Sequence, residues 1–267
     1  MYVQLRQGSA WLNLPGYLPQ LVASGVDTRL CLLCSDDNHP HTLVDEGHMD
    51  RILRECVRLG LDPVTALQMA TINCAEYFGL ARDLGSVTPG KCADIVLLDD
   101  LEGFVARKVF IDGELVAEDG RALFSVEPYA WPDFMTHTMN LGFTPTADTF
   151  RIPVDLPDGT ARVRAMAIDP GDTLTRSIVA EVPVTDGSLQ ADPENDVLKV
   201  AVFDRHHGAE GTRAFGFVTG FGIHGALAQT VSHDAHNLLV MGDNDEDMAL
   251  AARTLAECGG GEVAVAD

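Results

Sequence analysis

The densest chemistry in the chain lies in Cys34-Ser35-Asp36-Asp37-Asn38-His39-Pro40, directly after the apolar run Leu30-Cys31-Leu32-Leu33. Two carboxylates, a histidine and a proline at the end of a buried strand form a polar cluster. Enzymes built on α/β barrels carry such clusters at the C-terminal ends of their strands. A carboxylate there can ligate a metal, or carry a proton to and from a metal-bound water. Asp36 is the first candidate for that work. Asp37 and His39 are candidates to orient a substrate or to hold Asp36, and Asx-turn chemistry ahead of Pro40 explains them about as well. A second polar concentration is Ser232-His233-Asp234-Ala235-His236-Asn237. There His233 and Asp234 form a candidate orienting or proton-relay pair, and a tight turn tied by its own side chains accounts for the same residues.

The elements that must position these groups are legible around them. Tyr2 to Leu5 reads as a short strand, Leu14 to Ser24 as a helix stopped by Gly25, and Arg29 to Ser35 as a second strand. Strand, helix, strand in that order is a unit of a parallel sheet. Met49, Ile52, Leu53, Cys56 and Val57 recur at helical spacing up to Gly60. Asp62 is a good N-cap and Pro63 suits a first turn, so one helix is expected from there through Tyr77-Phe78 to Gly79. The texture then changes. Ala93 to Asp99 reads as a strand, and Val105–Ile111 and Glu114–Ala117 flank Asp112-Gly113 as a hairpin. From Arg121 to Thr149 the chain is irregular, with Pro128, Pro132 and Pro145.

Beyond Phe150 come strand-like runs at Arg162–Ile168, Ile178–Val184 and Val197–Phe203. The turns Asp158-Gly159 and Asp186-Gly187 punctuate them. A glycine-rich stretch from Gly208 to Gly225 follows, then the Leu238–Met241 run, an N-capped helix over Asp245–Glu257, and a final strand from Val263. The glycines of that stretch spell neither a phosphate-binding loop nor a dinucleotide fingerprint. Of His206-His207, which follow a strand, one is expected to face inward. His41 and His48 read as surface or capping residues.

Composition narrows the partners. The chain has 267 residues, 40 of them acidic and 18 basic, for a net charge of −22. That disfavours nucleic acid and anionic membrane surfaces. No run of about 18 apolar residues calls for a membrane span. The six cysteines do not form a disulfide framework in a chain this long. Cys31-Leu32-Leu33-Cys34 has the spacing of a zinc knuckle, yet strand residues three apart face opposite sides, so buried thiols are the better reading. Reduced thiols and a start without a signal peptide's charged head and apolar stretch point to the cytoplasm.

Taken together, these segments resemble the adenine deaminases of the amidohydrolase superfamily. Ser35-Asp36-Asp37-Asn38-His39-Pro40 is similar to the end of that family's eighth barrel strand, and Glu46-Gly47-His48-Met49-Asp50 to the opening of the next helix. Ala70-Thr71-Ile72-Asn73-Cys74-Ala75-Glu76-Tyr77-Phe78-Gly79-Leu80 resembles a superfamily-wide helix, with Cys74 in place of the usual proline. Gly85-Ser86-Val87-Thr88-Pro89-Gly90-Lys91-Cys92-Ala93-Asp94-Ile95-Val96 resembles its return into a small β domain. Val231 to Asn237 and Gly242 to Met248 are similar to the family's own C-terminal domain.

The resemblance implies an α/β chain in several parts. A partial (β/α)8 barrel remnant covers residues 1–80 and a small β domain segment residues 81–125. A connector covers 126–149, and a truncated α+β C-terminal domain 150–267. The family's remaining barrel strands, with their metal-binding histidines and acidic residue, have no counterpart here; no histidine precedes His39.

The resemblance further implies hydrolytic deamination of adenine to hypoxanthine and ammonia in the complete enzyme. A divalent metal, manganese or iron with zinc as the alternative, is bound weakly or not at all by this chain alone. Asp36 takes the role of ligand and proton carrier. Asp37, His39, His233, Asp234, His236 and Asn237 are candidates to meet substrate, the last two at a purine edge. The partner is adenine, in a homo-oligomer or together with a complementing N-terminal half. Another cyclic amidohydrolase, or a non-catalytic half that assembles with a separate chain, are the alternative readings.

Overall fold

The structure is a computed structural model that describes residues 1–169 and 174–266. It divides into two compact units, Met1–Pro128 and Tyr129–Asp267.

In the first unit, β1 (Val3–Arg6) leads into α1 (Leu14–Ser24), and β2 (Cys31–Cys34) follows. Gly25 stops α1 in the left-handed region at φ 64°, where glycine has no Cβ to clash. The strands β1 and β2 pair in parallel, with Val3 beside Cys31 and Arg6 beside Cys34, as the strand–helix–strand order requires. Four helices come next: α2 (Pro40–Asp45), α3 (Met49–Arg58), α4 (Pro63–Ala70) and α5 (Ile72–Tyr77). The apolar side chains of α1, β2, α3 and α4, among them Leu18, Leu33, Ile52 and Met69, close one core around Phe104.

The single helix expected after Asp62 is instead two. Asp62 caps α4, accepting from the Thr65 N–H at 2.9 Å. At Thr71 the backbone leaves the helix (φ −126°, ψ −88°). The Thr71 hydroxyl donates back to the Leu67 carbonyl at 2.6 Å, and this local competition is what breaks the run. The strands β3 (Ile95–Leu98), β4 (Ala106–Ile111), β5 (Glu114–Glu118) and β6 (Arg121–Ala122) then form an antiparallel sheet in chain order.

The second unit opens with irregular chain and one short helix, α6 (Asp133–Thr136). Its sheet is built from β7 (Ile152–Pro153), β8 (Gly159–Ile168), β9 (Thr175–Thr185), β10 (Ser188–Leu189), β11 (Leu198–Phe203), β12 (Arg213–Thr219), β13 (Ala226–Gln229), β14 (Leu238–Gly242) and β15 (Glu262–Val265). Among the described residues the strand order is β15-β13-β14-β11-β12-β8-β9-β10-β7. All neighbours are antiparallel except β12 and β8.

The helix α7 (Asp245–Cys258) packs Met248, Ala251, Ala252 and Leu255 onto β13 and β14. Its N-cap is Asn244, which accepts from the Asp247 N–H at 2.8 Å, and three acidic residues in its first turn suit the helix dipole. Lys199 of β11 is buried and reaches Asp245 at 2.7 Å, so the interior cation is paired. β12 lies inside the stretch expected to be merely glycine-rich. Its Phe217 and Val218 are buried, apolar positions that the flanking glycines conceal.

Candidate functional site

Asp36 sits one residue beyond Ser35 at the C-terminal end of β2, in the left-handed region at φ 61°. Aspartate tolerates that conformation better than most residues, and it turns the chain sharply off the strand. The parallel register brings Arg6, the last residue of β1, beside it. Arg6 Nη1 donates to Asp36 Oδ2 at 2.5 Å, and Arg6 Nε donates to Asn13 Oδ1 at 3.0 Å. The Asp36 side chain keeps 55% of its exposure. A pair that open to water contributes about 1 kcal/mol or less to stability, so its consequence is orientation of the carboxylate.

Asp37 points elsewhere. Its Oδ2 accepts from the Ala10 N–H at 3.3 Å, and its carbonyl accepts from the Ser9 N–H at 2.9 Å. A Cβ added to Gly8 would lie 2.2 Å from Asp37 Oδ1, so glycine at position 8 is what lets Asp37 tuck against the loop that leaves β1. His39 is exposed. Its N–H donates to Ser9 Oγ at 2.8 Å, and its ring centroid lies 5.5 Å from that of His41. The Asn38 side chain donates to the Asp36 carbonyl at 3.2 Å. The mouth of the two-stranded sheet is thus a small network in which Asp36 faces Arg6 and Asp37 braces the neighbouring loop.

Arg6 and His48 enter the site although the motif by itself does not announce them. His48 Nε2 lies 2.9 Å from Ser35 Oγ, which ties the residue before α3 to the end of β2. The available signal for Arg6 was topological: two parallel strands end side by side, so a cation closing one meets a carboxylate closing the other. Asp50 sits below the ordinary carboxylate value. Burial pushes it up, but donation from Arg54 and from the His48 N–H outweighs that. Burial, and after it the charge of Asp36, push the Cys34 thiol up. Burial pushes Cys56 up to about 12. Cys31 and Cys34 are free thiols, Cys31 buried and Cys34 half-buried.

The second polar concentration lies in the other unit. Residues 233–236 form a turn in which the His236 N–H donates to the Ser232 carbonyl at 2.7 Å. His236 has φ 49°, and its ring centroid lies 5.0 Å from that of His233. His233 Nδ1 and Asp234 Oδ1 are 3.7 Å apart, both strongly exposed. Asn237 is half-buried just before β14.

Arg205 fixes this turn from the adjacent strand end. Its Nε donates to the His236 carbonyl at 2.6 Å and its Nη1 to the Thr138 carbonyl at 2.8 Å. The neighbouring pair His206-His207 departs from expectation, because both side chains are exposed. Asp204 accounts for this. It accepts from the His206 N–H at 2.8 Å, the His207 N–H at 3.2 Å and His207 Nδ1 at 2.6 Å, curling the chain outward. Those donors, His206 first, hold the Asp204 carboxyl down at about 2.

The structure therefore gathers Asp36, Asp37 and His39 at one sheet end, and His233, Asp234, His236 and Asn237 in one turn of the second unit. Among the described residues no three His, Cys, Asp or Glu side chains converge as ligands for a metal ion.

The fold and these motifs define two family segments. Residues 18–116 match the amidohydrolase family, and residues 172–267 match the adenine deaminase C-terminal domain. Over its whole length the chain is similar to the C-terminal half of the adenine deaminases. It is 49% identical over its whole length to an adenine deaminase of Clostridium botulinum (strain Loch Maree), and covers 44% of that protein. It is 46% identical, again over its whole length, to the adenine deaminase of Moorella thermoacetica, covering 45% of it. With the adenine deaminase of Mesorhizobium japonicum it shares 40% identity over 98% of this chain and 44% of the relative. The chain thus spans less than half the length of these relatives.

Proposed function

We propose that this chain is the C-terminal part of an enzyme that hydrolyses adenine to hypoxanthine and ammonia. The observation that carries the reading is 49% identity, without loss of coverage on this side, to a protein named adenine deaminase. In that reaction a water oxygen bonds to C6 of the purine, the bond from C6 to the exocyclic nitrogen breaks, and a proton must travel from the water to the departing nitrogen. Amide-like nitrogen leaves poorly until it is protonated, so a carboxylate that takes and returns one proton is the chemistry required.

Asp36 is assigned that role. Arg6 holds Oδ2, and Oδ1 is the oxygen given to the reacting proton. Asp37 is assigned as a positioning residue acting through the loop at Gly8–Ala10. His39, His233, Asp234, His236 and Asn237 are assigned to substrate recognition, with His236 and Asn237 meeting the purine edge. The strands β1 and β2 are read as the last two of an amidohydrolase barrel, and the assembled enzyme as a cytoplasmic homo-oligomer.

The family relationship implies a divalent metal, which we assign as manganese or iron, with zinc as the alternative. One carboxylate engaged by an arginine is not a donor set for such an ion. The described residues do not fit a metal centre by themselves, and the further ligands are placed in the part of the relatives that this chain does not match.

The test is a chimera in which residues 1–267 replace the matching part of the Clostridium botulinum relative. It is expected to deaminate adenine. Asp36→Asn should then lower kcat by roughly 10²- to 10⁴-fold, the range for loss of a general acid–base. A folded chimera without adenine turnover, or an Asp36→Asn variant with unchanged kcat, overturns the reading.

A further inference from the structure

The segment from Arg6 to Ala10 touches residues 34–39 at every position. Arg6 donates to Asp36. The Gln7 N–H donates to the Cys34 carbonyl at 3.0 Å. Gly8 makes room for Asp37. The Ser9 N–H donates to the Asp37 carbonyl, while Ser9 Oγ accepts from the His39 N–H. The Ala10 N–H donates to Asp37 Oδ2. Wherever this segment lies, the chain beyond β2 must follow.

Arg51 reaches that segment from a different element. It sits in the first turn of α3, and its Nη2 donates to the Gln7 carbonyl at 3.2 Å and to the Gly8 carbonyl at 3.1 Å. Both carbonyls lie just beyond the last residue of β1. The Arg51 side chain keeps only 12% of its exposure. Its burial is incompletely compensated. Nε is buried with no hydrogen-bond partner among the described residues, and Glu46 Oε2 approaches Nη1 only to 3.9 Å. Asp37 Oδ1, which packs where a Cβ on Gly8 would stand, is likewise buried without a donor among the described residues. A charge held out of water with incomplete pairing costs stability. Proteins break such packing rules chiefly at functional sites.

We propose that Arg51 is a positioning residue for the deamination. By clamping the Gln7 and Gly8 carbonyls it sets the segment against which Asp36 and Asp37 are aligned. The inference rests on the roles assigned to those carboxylates above, and extends them to a side chain that acts through backbone. A misplacement of about 1 Å in a reacting group can cost on the order of 10²-fold in rate. Loss of the clamp is therefore read in kcat more than in KM.

The experiment pairs Arg51→Met with Ile52→Val. The first keeps an unbranched stem and removes the donors. The second trims the core of the same helix and removes no donor to residues 6–10. In the 267-residue chain, Arg51→Met should speed hydrogen exchange at the Ser9 and Ala10 amides about tenfold or more relative to those of β2. Ile52→Val should leave that ratio as it is. In the chimera described above, Arg51→Met should lower kcat about 10- to 100-fold and change KM for adenine less than about threefold. Ile52→Val should lower Tm with kcat unchanged. Arg51→Lys keeps a charge on a shorter stem, so it should show both Arg51→Met effects to a smaller degree, and it serves if Arg51→Met does not fold. Unchanged exchange at Ser9 and Ala10, unchanged kcat in a folded Arg51 variant, or an equal kcat loss in Ile52→Val overturns the proposal. A chimera inactive before any substitution would sink the assigned activity alone, because exchange in the chain itself then decides whether Arg51 sets the segment.

Discussion

Asp204 shows what a single side chain can settle. Its carboxyl is held at about 2 by the His206 N–H, the His207 ring and the His207 N–H. A depressed folded value means the charged form belongs to the native state. Its contribution is complete above the unfolded value of 3.8 and is lost as pH falls toward about 2. Asp204→Asn should therefore cost Tm at about pH 5 and cost little at about pH 2.5, where the wild-type carboxyl is also becoming protonated. Equal Tm deficits at both pH values would contradict the assignment. Asp36 was legible as a candidate because two carboxylates follow an apolar run. Its partner Arg6 is not marked by the motif, and only the parallel pairing of the two strands signals that it meets Asp36. The outward turn of His206 and His207 was missed for a related reason. Alternation along a strand was extended past Phe203, where Asp204 already bends the chain.

At the scale of elements, sequence pattern located most strands and helices, and local competition decided the misses. Gly25, Gly60 and Gly79 marked helix ends correctly, and Asp112-Gly113 marked its hairpin. Thr71 divided one expected helix into α4 and α5, because a hydroxyl can bond a backbone carbonyl that apolar periodicity ignores. β12 was hidden by the glycines at its borders. The loop that leaves β1 offers a direct test of local fit. Gly8→Ala forces a Cβ to within 2.2 Å of Asp37 Oδ1 and 2.9 Å of the Asp37 carbonyl oxygen. The variant should lose about 1–3 kcal/mol of stability in denaturant unfolding, the usual cost of overpacking. In the chimera it should lower kcat as well, since the segment that carries Asp36 must shift with its neighbour. A Gly8→Ala protein of unchanged stability would show that Asp37 moves aside freely.

For the whole molecule, the acidic composition and family motifs were legible, and the described residues contain no helix long and apolar enough to cross a membrane. A catalytic centre is another matter. The carboxylate is present, while no three metal-ligating side chains converge among the described residues. The 267-residue chain incubated with manganese and then dialysed should retain well under one ion per chain. It should also show no adenine turnover above background. Stoichiometric metal, or measurable conversion to hypoxanthine, would mean that the site is assembled within this chain after all. What sequence could not convey is which apolar residues stand in water, because Phe78 and Val87, both exposed, look the same as residues of a core.

Arg205 has a consequence of a different kind. Its guanidinium staples two backbone carbonyls, those of Thr138 and His236, that lie far apart along the chain. A lysine offers one compact ammonium where the planar fork offers several fixed donors, so it could grip one strand of chain or the other but would hold both poorly. The posture of the histidine turn is thereby made dependent on a residue that carries no chemistry of its own, and drift at position 205 would loosen that turn without altering a single letter of its motif.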